Sequence, residues 1–329
     1  MIKKFKDEFK TNYKLYLTLI ALLIIFSIRL DYFIYSPGGL IELTDRTIVD
    51  SSYKQEGSFN MTYVTSRYGT IVNVLLSYII PDWDLESVDD MRIENEDAKD
   101  IELRDKIYLK ETSYNAVIAA FREANLPYSI DSVDVVVTYV FNDSHTNLKV
   151  NDIIKSINDD EVNDFDDIYP IIAKYKVGDR VNIKVLRNDK EVDCYADIIE
   201  LNDRMAIGIT LAEIKNVTTN PNVEFVFKKN ESGSSRGLMC ALDIYNKITE
   251  FDLTKGRVIS GTGSIDENGI VGDIDGVKYK LKGAVKNGAD VFIVPTNNYE
   301  EAIKLKKENN YDIEIIEADN LHNVIEKLK

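Results

Sequence analysis

The chain has 329 residues, enough for two or three domains, and its 56 acidic against 40 basic residues give a formal charge of −16. A nucleic-acid-binding protein needs a basic face to displace counterions from phosphates, so this balance argues against nucleic acid as a partner. Hydrophobic residues at 44% exclude wholesale disorder, while two cysteines and two histidines provide neither a disulfide framework nor a metal-ligand cluster, and no cofactor is expected.

The first segment combines a basic stretch with an apolar one. Residues 1–14 carry five lysines and two acidic residues, and residues 15–28 carry no charge. The uncharged run alone is shorter than the roughly 20 residues of a transmembrane helix, but a snorkelling Arg29 and the aromatic cluster at 32–35 extend it. A cleaved signal peptide is the alternative, although no small-residue cleavage site follows. The pattern predicts a cytoplasmic tail at 1–14 and a single-pass anchor at 15–35, with the acidic remainder of the chain outside the cytoplasmic membrane.

Residues 36–125 form the next predicted region, an extracytoplasmic N-terminal part. Short β-rich runs at 59–64 and 70–80 precede an acidic stretch at 82–105, and residues 113–125 have the periodicity of an amphipathic helix. These segments carry no motif for catalysis or ligand binding, so we expect no chemistry from this region.

Residues 126–201 are predicted to form a separate β-rich domain. Its elements are, in order, an alternating strand with Val133, Val135 and Val137, a helix at 164–174, and strands at 181–186 and 191–199 joined by a turn at Asn188-Asp189. The succession resembles a PDZ domain, with Asp152-Ile153-Ile154 before the helix and Gly178-Asp179 after it. The resemblance implies a sheet edge that captures extended peptides by strand addition. No glycine-rich carboxylate-binding loop precedes Val133. The alternative interpretation is therefore a β-rich spacer domain that binds no peptide.

Residues 202–329 contain the candidate for catalysis. A strand predicted at 223–228 leads into Gly233-Ser-Ser235-Arg-Gly237, after which helical periodicity begins. A serine on a strand-to-helix turn is exposed, and the unpaired N–H groups of the helix N-terminus can stabilise a tetrahedral oxyanion. The motif fits a nucleophilic Ser235, but it also fits a serine that caps a helix, or an anion or phosphate site at the Gly237 helix start.

Histidine is not expected to act as the general base. The chain order Ser235, Asp273, His322 is that of one kind of catalytic triad. However, the periodicity of the C-terminal helix directs His322 to solvent, and His145 lies in a polar loop of another domain. Both histidines are therefore predicted to be surface residues.

Lysine can replace histidine as the base if burial keeps its amine neutral near pH 7. The helix predicted at 277–287 follows a second glycine-rich stretch and has an apolar stripe. Lys278 and Lys280 flank this stripe on opposite sides, so periodicity does not choose between them.

Three segments, in this order, resemble the proteolytic domain of Lon peptidases: 231–239, 261–280 and 288–295. With the apolar N-terminal segment, Pro37-Gly38-Gly39 and the PDZ-like middle, the whole chain resembles the membrane-anchored, PDZ-containing Lon-like peptidases of Gram-positive bacteria. The resemblance implies an α+β, multi-domain fold with an N-terminal transmembrane helix, a PDZ-like domain and a C-terminal Lon-type proteolytic domain.

The resemblance also implies the roles of the site residues. Ser235 falls on the nucleophile, Lys280 on the general base and Thr262 on the residue that orients this lysine, and the supporting residues of the turn are Gly233, Arg236 and Gly237. Ser234 and Arg236 stand where the family has proline and alanine, and Asp275 stands where it has glycine. Arg236 is expected to crowd the cleft or to favour an acidic substrate. Asp275 is expected to raise the pKa of Lys280, which opposes a neutral base.

The implied activity is that of a serine endopeptidase that cleaves extended or secreted peptides and proteins. The sequence has no Gly-x-x-x-x-Gly-Lys-Ser/Thr motif, so we expect proteolysis without ATP. The sequence leaves open whether the chain forms a homo-oligomer. The alternative function is a catalytically weak or inactive, membrane-tethered adaptor that binds peptides through its PDZ-like domain.

Overall fold

The structure, a computed structural model, describes residues 2–88, 96–201, 204–229 and 231–329. The helices in these residues are α1 (Ile2–Ser27), α2 (Ile71–Ser77), α3 (Ala98–Glu123), α4 (Phe165–Ile172), α5 (Gly237–Ile248), α6 (Val277–Lys286), α7 (Thr296–Asn309) and α8 (Leu321–Leu328).

The strands in the same residues divide among several sheets. In chain order they are β1 (Arg29–Glu42), β2 (Thr47–Val49), β3 (Ser58–Thr70), β4 (Asp84–Ser87), β5 (Tyr128–Val140), β6 (Ile153–Ile157), β7 (Asp160–Glu161), β8 (Arg180–Arg187), β9 (Lys190–Asp197), β10 (Ile199–Leu201), β11 (Arg204–Ala206), β12 (Ile209–Thr219), β13 (Val223–Phe225), β14 (Val258–Gly261), β15 (Ser264–Ile265), β16 (Val271–Gly272), β17 (Val291–Pro295) and β18 (Glu314–Ala318).

Two compact units make up the chain. The first consists of Met1–Gly38 and Val64–Arg92, and the second of Gly39–Tyr63 and Ile93–Lys329. In the first unit, β1 pairs with β4 in antiparallel register, from Tyr32 opposite Ser87 to Tyr35 opposite Asp84.

Helix α1 covers only the first part of the transmembrane anchor predicted at residues 15–35. Helix α1 ends at Ser27 and strand β1 begins at Arg29, so the aromatic cluster at 32–35 lies in a strand rather than in a helix. Within the described ranges, no helix is long and apolar enough to cross a membrane.

The second unit contains an antiparallel sheet of strand order β12-β5-β6-β8-β9, with β7 paired to β6. Alternating residues of β8 are buried in its core, as the alternation of apolar and polar residues predicts. Asn188 and Asp189 have φ of 50° and 60°, the left-handed backbone of a two-residue hairpin turn, so the predicted turn is confirmed. Helix α4 begins after Asp164, whose side chain accepts a hydrogen bond from the N–H of Asp167.

A second sheet of this unit carries the C-terminal residues. Strands β18, β17, β14 and β3 lie parallel in that order, and β1 follows β3. All five residues of β17 are buried, because helices cover both faces of this part of the sheet. Val291 and Ile293 pack into the core with α3, α5 and α8, while Phe292 and Val294 pack with α6 and α7.

The predicted fold class is confirmed in part, since the chain is a mixed α+β protein of more than one domain. The core around α5 also includes residues from the predicted N-terminal region, namely Leu43, Val49, Phe59, Met61 and several residues of α3. This core therefore crosses the boundary predicted at residue 202, because chain segments far apart in sequence share one sheet and its covering helices.

Candidate active site

The turn that carries Ser235 lies directly before helix α5. The strand predicted at 223–228 is shorter in the structure, where β13 ends at Phe225 and an irregular segment leads to Gly237, the first residue of α5. Ser235 is half-buried, and all but one residue of α5 is buried. The buried helix therefore anchors the turn to the core, while Ser235, just before the N-terminus of the helix, stays partly accessible to solvent.

Two glycines shape this turn. Gly233 has φ +86°, a left-handed conformation that favours glycine, and its N–H donates to the carbonyl of Asp105 over 3.0 Å. At Gly237 a Cβ atom would lie 2.2 Å from Thr112 Oγ1, so any side chain there would collide with α3. Both predicted glycines thus have a geometric reason to be glycine.

The two candidate lysines of α6 have different environments. Lys278 is exposed, whereas Lys280 is 5% exposed. The Nζ of Lys280 donates to Thr262 Oγ1 over 3.1 Å, and Thr262 is itself fully buried. The hydroxyl of Thr262 in turn donates to the carbonyl oxygen of Ser235 over 3.1 Å. Lys280, Thr262 and Ser235 are therefore connected by consecutive hydrogen bonds through the backbone of the serine.

Burial lowers the pKa of Lys280 from 10.5 to about 8, and the negative charge of Asp275 acts in the opposite direction. Asp275 is exposed on the loop before α6, so water screens its charge. The expectation that Asp275 raises this pKa is correct in sign, but desolvation of the ammonium group outweighs it. Near neutral pH a fraction of Lys280 is therefore the uncharged amine.

No hydrogen bond joins Ser235 Oγ to Lys280 Nζ within the ranges that the structure describes. In the same ranges the backbone N–H groups of Ser235 and Arg236 donate to no protein acceptor. The carbonyl of Ser235, by contrast, accepts from Gly263 N–H over 2.8 Å as well as from Thr262. The carbonyl of Ser235 thus holds the turn in place, and the amides of Ser235 and Arg236 remain available to a ligand.

Arg236 does not extend into an open cleft, contrary to both expectations from the sequence. Its side chain is buried, and its Nη1 donates to Glu231 Oε2 over 3.1 Å. The guanidinium lies 4.7 Å from the ring centroid of Phe227, and Nη2 donates to the carbonyl of Ser232. Glu231 also pairs with Arg46 at 3.4 Å, so the side chain of Arg236 is held in a buried ion-pair cluster.

The histidines are surface residues, as predicted. His145 is exposed, and His322 has a largely exposed ring whose Nδ1 lies 2.7 Å from Glu123 Oε1. The hydrogen bond with this carboxylate raises the pKa of His322. Asp273 is exposed on a loop, so these residues do not form a triad with Ser235.

Sequence reasoning missed the contribution of α3, in a region from which no chemistry was expected. Thr112 Oγ1 donates to the carbonyl of Ser234 over 3.2 Å, and Asn115 Nδ2 donates to the carbonyl of Ile265 over 3.3 Å. The contact between Thr112 and Ser234 joins residues 122 positions apart. Periodicity identified part of the helix, but a single sequence holds no signal for which loop it would contact.

Two family models match parts of the chain. Residues 98–198 match the PDZ domain, and residues 229–329 match the Lon protease (S16) C-terminal proteolytic domain. Together these matches support a PDZ-containing Lon-like protease, and the second supports a serine peptidase. No curated protein shows significant similarity to the chain.

Several solved structures resemble the PDZ-matching part. The PDZ domain of an SdrC-like protein from Listeria monocytogenes is 26% identical, covers 25% of this chain and 90% of its own, and has a TM-score of 0.22. GtR34C from Geobacillus thermodenitrificans is 20% identical and covers 23% of this chain and 94% of its own. The second domain of the listeria protein Lin2157 is 27% identical and covers 24% of this chain and 83% of its own. Both have TM-scores of 0.22.

Proposed function

We propose that the chain is an ATP-independent serine endopeptidase in which Ser235 is the nucleophile and Lys280 the general base. The observation that carries the proposal is the buried Lys280, with a pKa lowered to about 8 and a hydrogen bond to Thr262, which itself contacts the carbonyl of Ser235. At pH 7 about one tenth of such a lysine is neutral and able to accept a proton. A typical surface lysine has almost no neutral amine at pH 7, because its pKa lies more than three units higher.

The reaction begins when neutral Lys280 accepts the proton of Ser235 Oγ, which attacks the carbonyl carbon of a peptide bond. The backbone N–H groups of Ser235 and Arg236 donate to the developing oxyanion. The Lys280 ammonium then gives its proton to the leaving amine, and an acyl-ester on Ser235 remains. Water, deprotonated by Lys280, hydrolyses this ester and restores the free enzyme.

Substrates of this enzyme are already extended. The sequence lacks the phosphate-binding loop of ATP-driven unfolding machines, so the chain has no such means of opening folded proteins. The PDZ-type domain supports a peptide or protein as the partner. Location outside the cytoplasmic membrane rests on the charge pattern of the N-terminal residues and stays a prediction.

Hydrolysis of an unfolded protein, such as fluorescently labelled casein, tests the proposal in the full chain. We expect Ser235→Ala and Lys280→Met each to abolish cleavage, and Ser234→Ala to retain it as a matched control one residue away. Unchanged turnover in Ser235→Ala or Lys280→Met would overturn the dyad. If the unaltered chain binds the substrate but never cleaves it, the adaptor function is the correct one.

A further inference from the structure

Helix α3 contacts the segment around Ser235 at three points, although it lies outside residues 229–329 that match the proteolytic domain. The carbonyl of Asp105 accepts from Gly233 N–H, Thr112 donates to the carbonyl of Ser234, and Asn115 donates to the carbonyl of Ile265. Two of these hydrogen bonds are made by Gly233 and Ser234, the two residues directly before Ser235. The helix therefore supports the turn from a different part of the chain.

Thr112 lies at the centre of this contact. It is 3% exposed, and the close approach at Gly237 brings the first turn of α5 against its hydroxyl. The opposite side of α3 packs on the antiparallel sheet, where Ile107 clusters with Ala212 and Ile214 of β12. Because α3 is fixed between the sheet and α5, the hydroxyl of Thr112 has little freedom to follow a movement of the turn.

The carbonyl that Thr112 contacts belongs to the same peptide unit as the N–H of Ser235. A trans peptide is planar, so the orientation of the Ser234 carbonyl fixes that of the Ser235 N–H, which points to the opposite side. This N–H donates to no protein acceptor among the described residues. A rotation of the plane would move it away from the position of an oxyanion.

We propose that Thr112 is a positioning residue, which holds the Ser234–Ser235 peptide plane so that the Ser235 N–H faces the oxyanion of the reaction. This inference rests on the proposed function, because it assigns a role within the same site. Gly237 N–H also donates to the Ser234 carbonyl, over 3.1 Å, so the carbonyl keeps one partner when the hydroxyl is removed. Loss of Thr112 Oγ1 should therefore loosen the plane without unfolding the turn.

The test uses the full chain with Thr112→Val, which keeps the shape of the side chain and removes its hydroxyl. Loss of a complete oxyanion donor costs about 100-fold or more in kcat, and since one hydrogen bond to the carbonyl persists, we expect a reduction of about tenfold. KM should change little, because the altered contact acts on the transition state. Thr112→Ser, which retains the hydroxyl, should restore most of the activity.

Ser113→Ala is the matched control. Ser113 is equally buried, but its hydroxyl donates to the carbonyl of Leu109 in its own helix. This variant removes a buried hydroxyl from α3 without affecting the turn, so kcat should stay near that of the unaltered chain. Thermal unfolding of all three variants shows whether each is folded at the assay temperature.

Each outcome decides the question. A folded Thr112→Val chain with unchanged kcat would overturn the inference, as would a Thr112→Ser chain as slow as Thr112→Val. If Thr112→Val is unfolded, a slow but folded Thr112→Ser would count against the role and an active one would support it. Failure of the proposed function is distinguishable, because then either the unaltered chain would not cleave at all or Ser235→Ala would cleave as fast as the unaltered chain, whatever the Thr112 variants do.

Discussion

Lys280→Met should make the protein inactive and at the same time more stable. Lowering the pKa of a buried lysine from 10.5 to about 8 means that the ammonium group destabilises the folded state when it is protonated. At about 1.4 kcal/mol for each pH unit, the destabilisation near pH 7 is about 3 kcal/mol. Methionine fills a similar volume without a charge but loses the hydrogen bond to Thr262, which contributes about 1 kcal/mol. The free energy of unfolding should therefore rise by about 2 kcal/mol.

The pH dependence of this gain follows from proton binding. Because the pKa of Lys280 is lowered on folding, the folded chain binds fewer protons than the unfolded chain between about pH 8 and the ordinary lysine pKa of 10.5. The stability of the unaltered chain therefore rises with pH across this window, and the advantage of Lys280→Met should shrink. Below about pH 8 the advantage should be at its full value.

Urea unfolding at pH 6.5 and pH 9.5 measures both effects. Lys278→Met is the control, because Lys278 lies two residues earlier on the same helix and is exposed. This control should change the free energy of unfolding by less than about 0.5 kcal/mol at either pH. A Lys280→Met chain that is less stable than the unaltered chain at pH 6.5, or whose gain is the same at both values, would refute the reasoning.

Further predictions concern the charges near the turn. The kcat/KM for peptide hydrolysis should rise with pH through about 8, as Lys280 loses its proton, and stopped assays across pH 6 to 9.5 measure this midpoint. Asp275→Asn removes the charge that raises the pKa of Lys280, so the midpoint should move to lower pH; a move to higher pH would contradict the electrostatic argument. Glu231→Gln leaves Arg46 and Arg236 without their shared carboxylate, so the free energy of unfolding in urea should fall by about 3 kcal/mol. An unchanged urea midpoint would mean that these ion pairs contribute nothing to stability.

Local features of the fold were predictable from the sequence where short-range chemistry determines them. Alternating apolar residues predicted strand β8, and Asn188-Asp189 predicted its hairpin, because both signals lie within a few residues of the structure they specify. The N-terminal anchor was predicted from a similar local signal, and the helix in the structure covers only part of the predicted segment. Hydropathy at residues 15–35 does not report that the backbone changes from helix to strand after Ser27.

The candidate site was predictable in its residue types but not in its surroundings. Periodicity left Lys278 and Lys280 equivalent, and only the packing of α6 against the sheet distinguishes the exposed lysine from the buried one. The contact of Thr112 with the turn depends on how α3 and α5 pack, which a single sequence does not encode in any short pattern. Arg236 likewise pairs with Glu231, a contact that the motif around Ser235 does not reveal.

Covalent labelling tests the central claim most directly. A peptidyl phosphonate reacts with a serine hydroxyl that a neighbouring base activates, and mass spectrometry of the digested protein identifies the labelled residue. We predict one adduct on Ser235, formed at a rate that increases as the pH passes about 8 and absent from Lys280→Met. An adduct on Ser234, or labelling of Ser235 that persists at the same rate in Lys280→Met, would contradict the account.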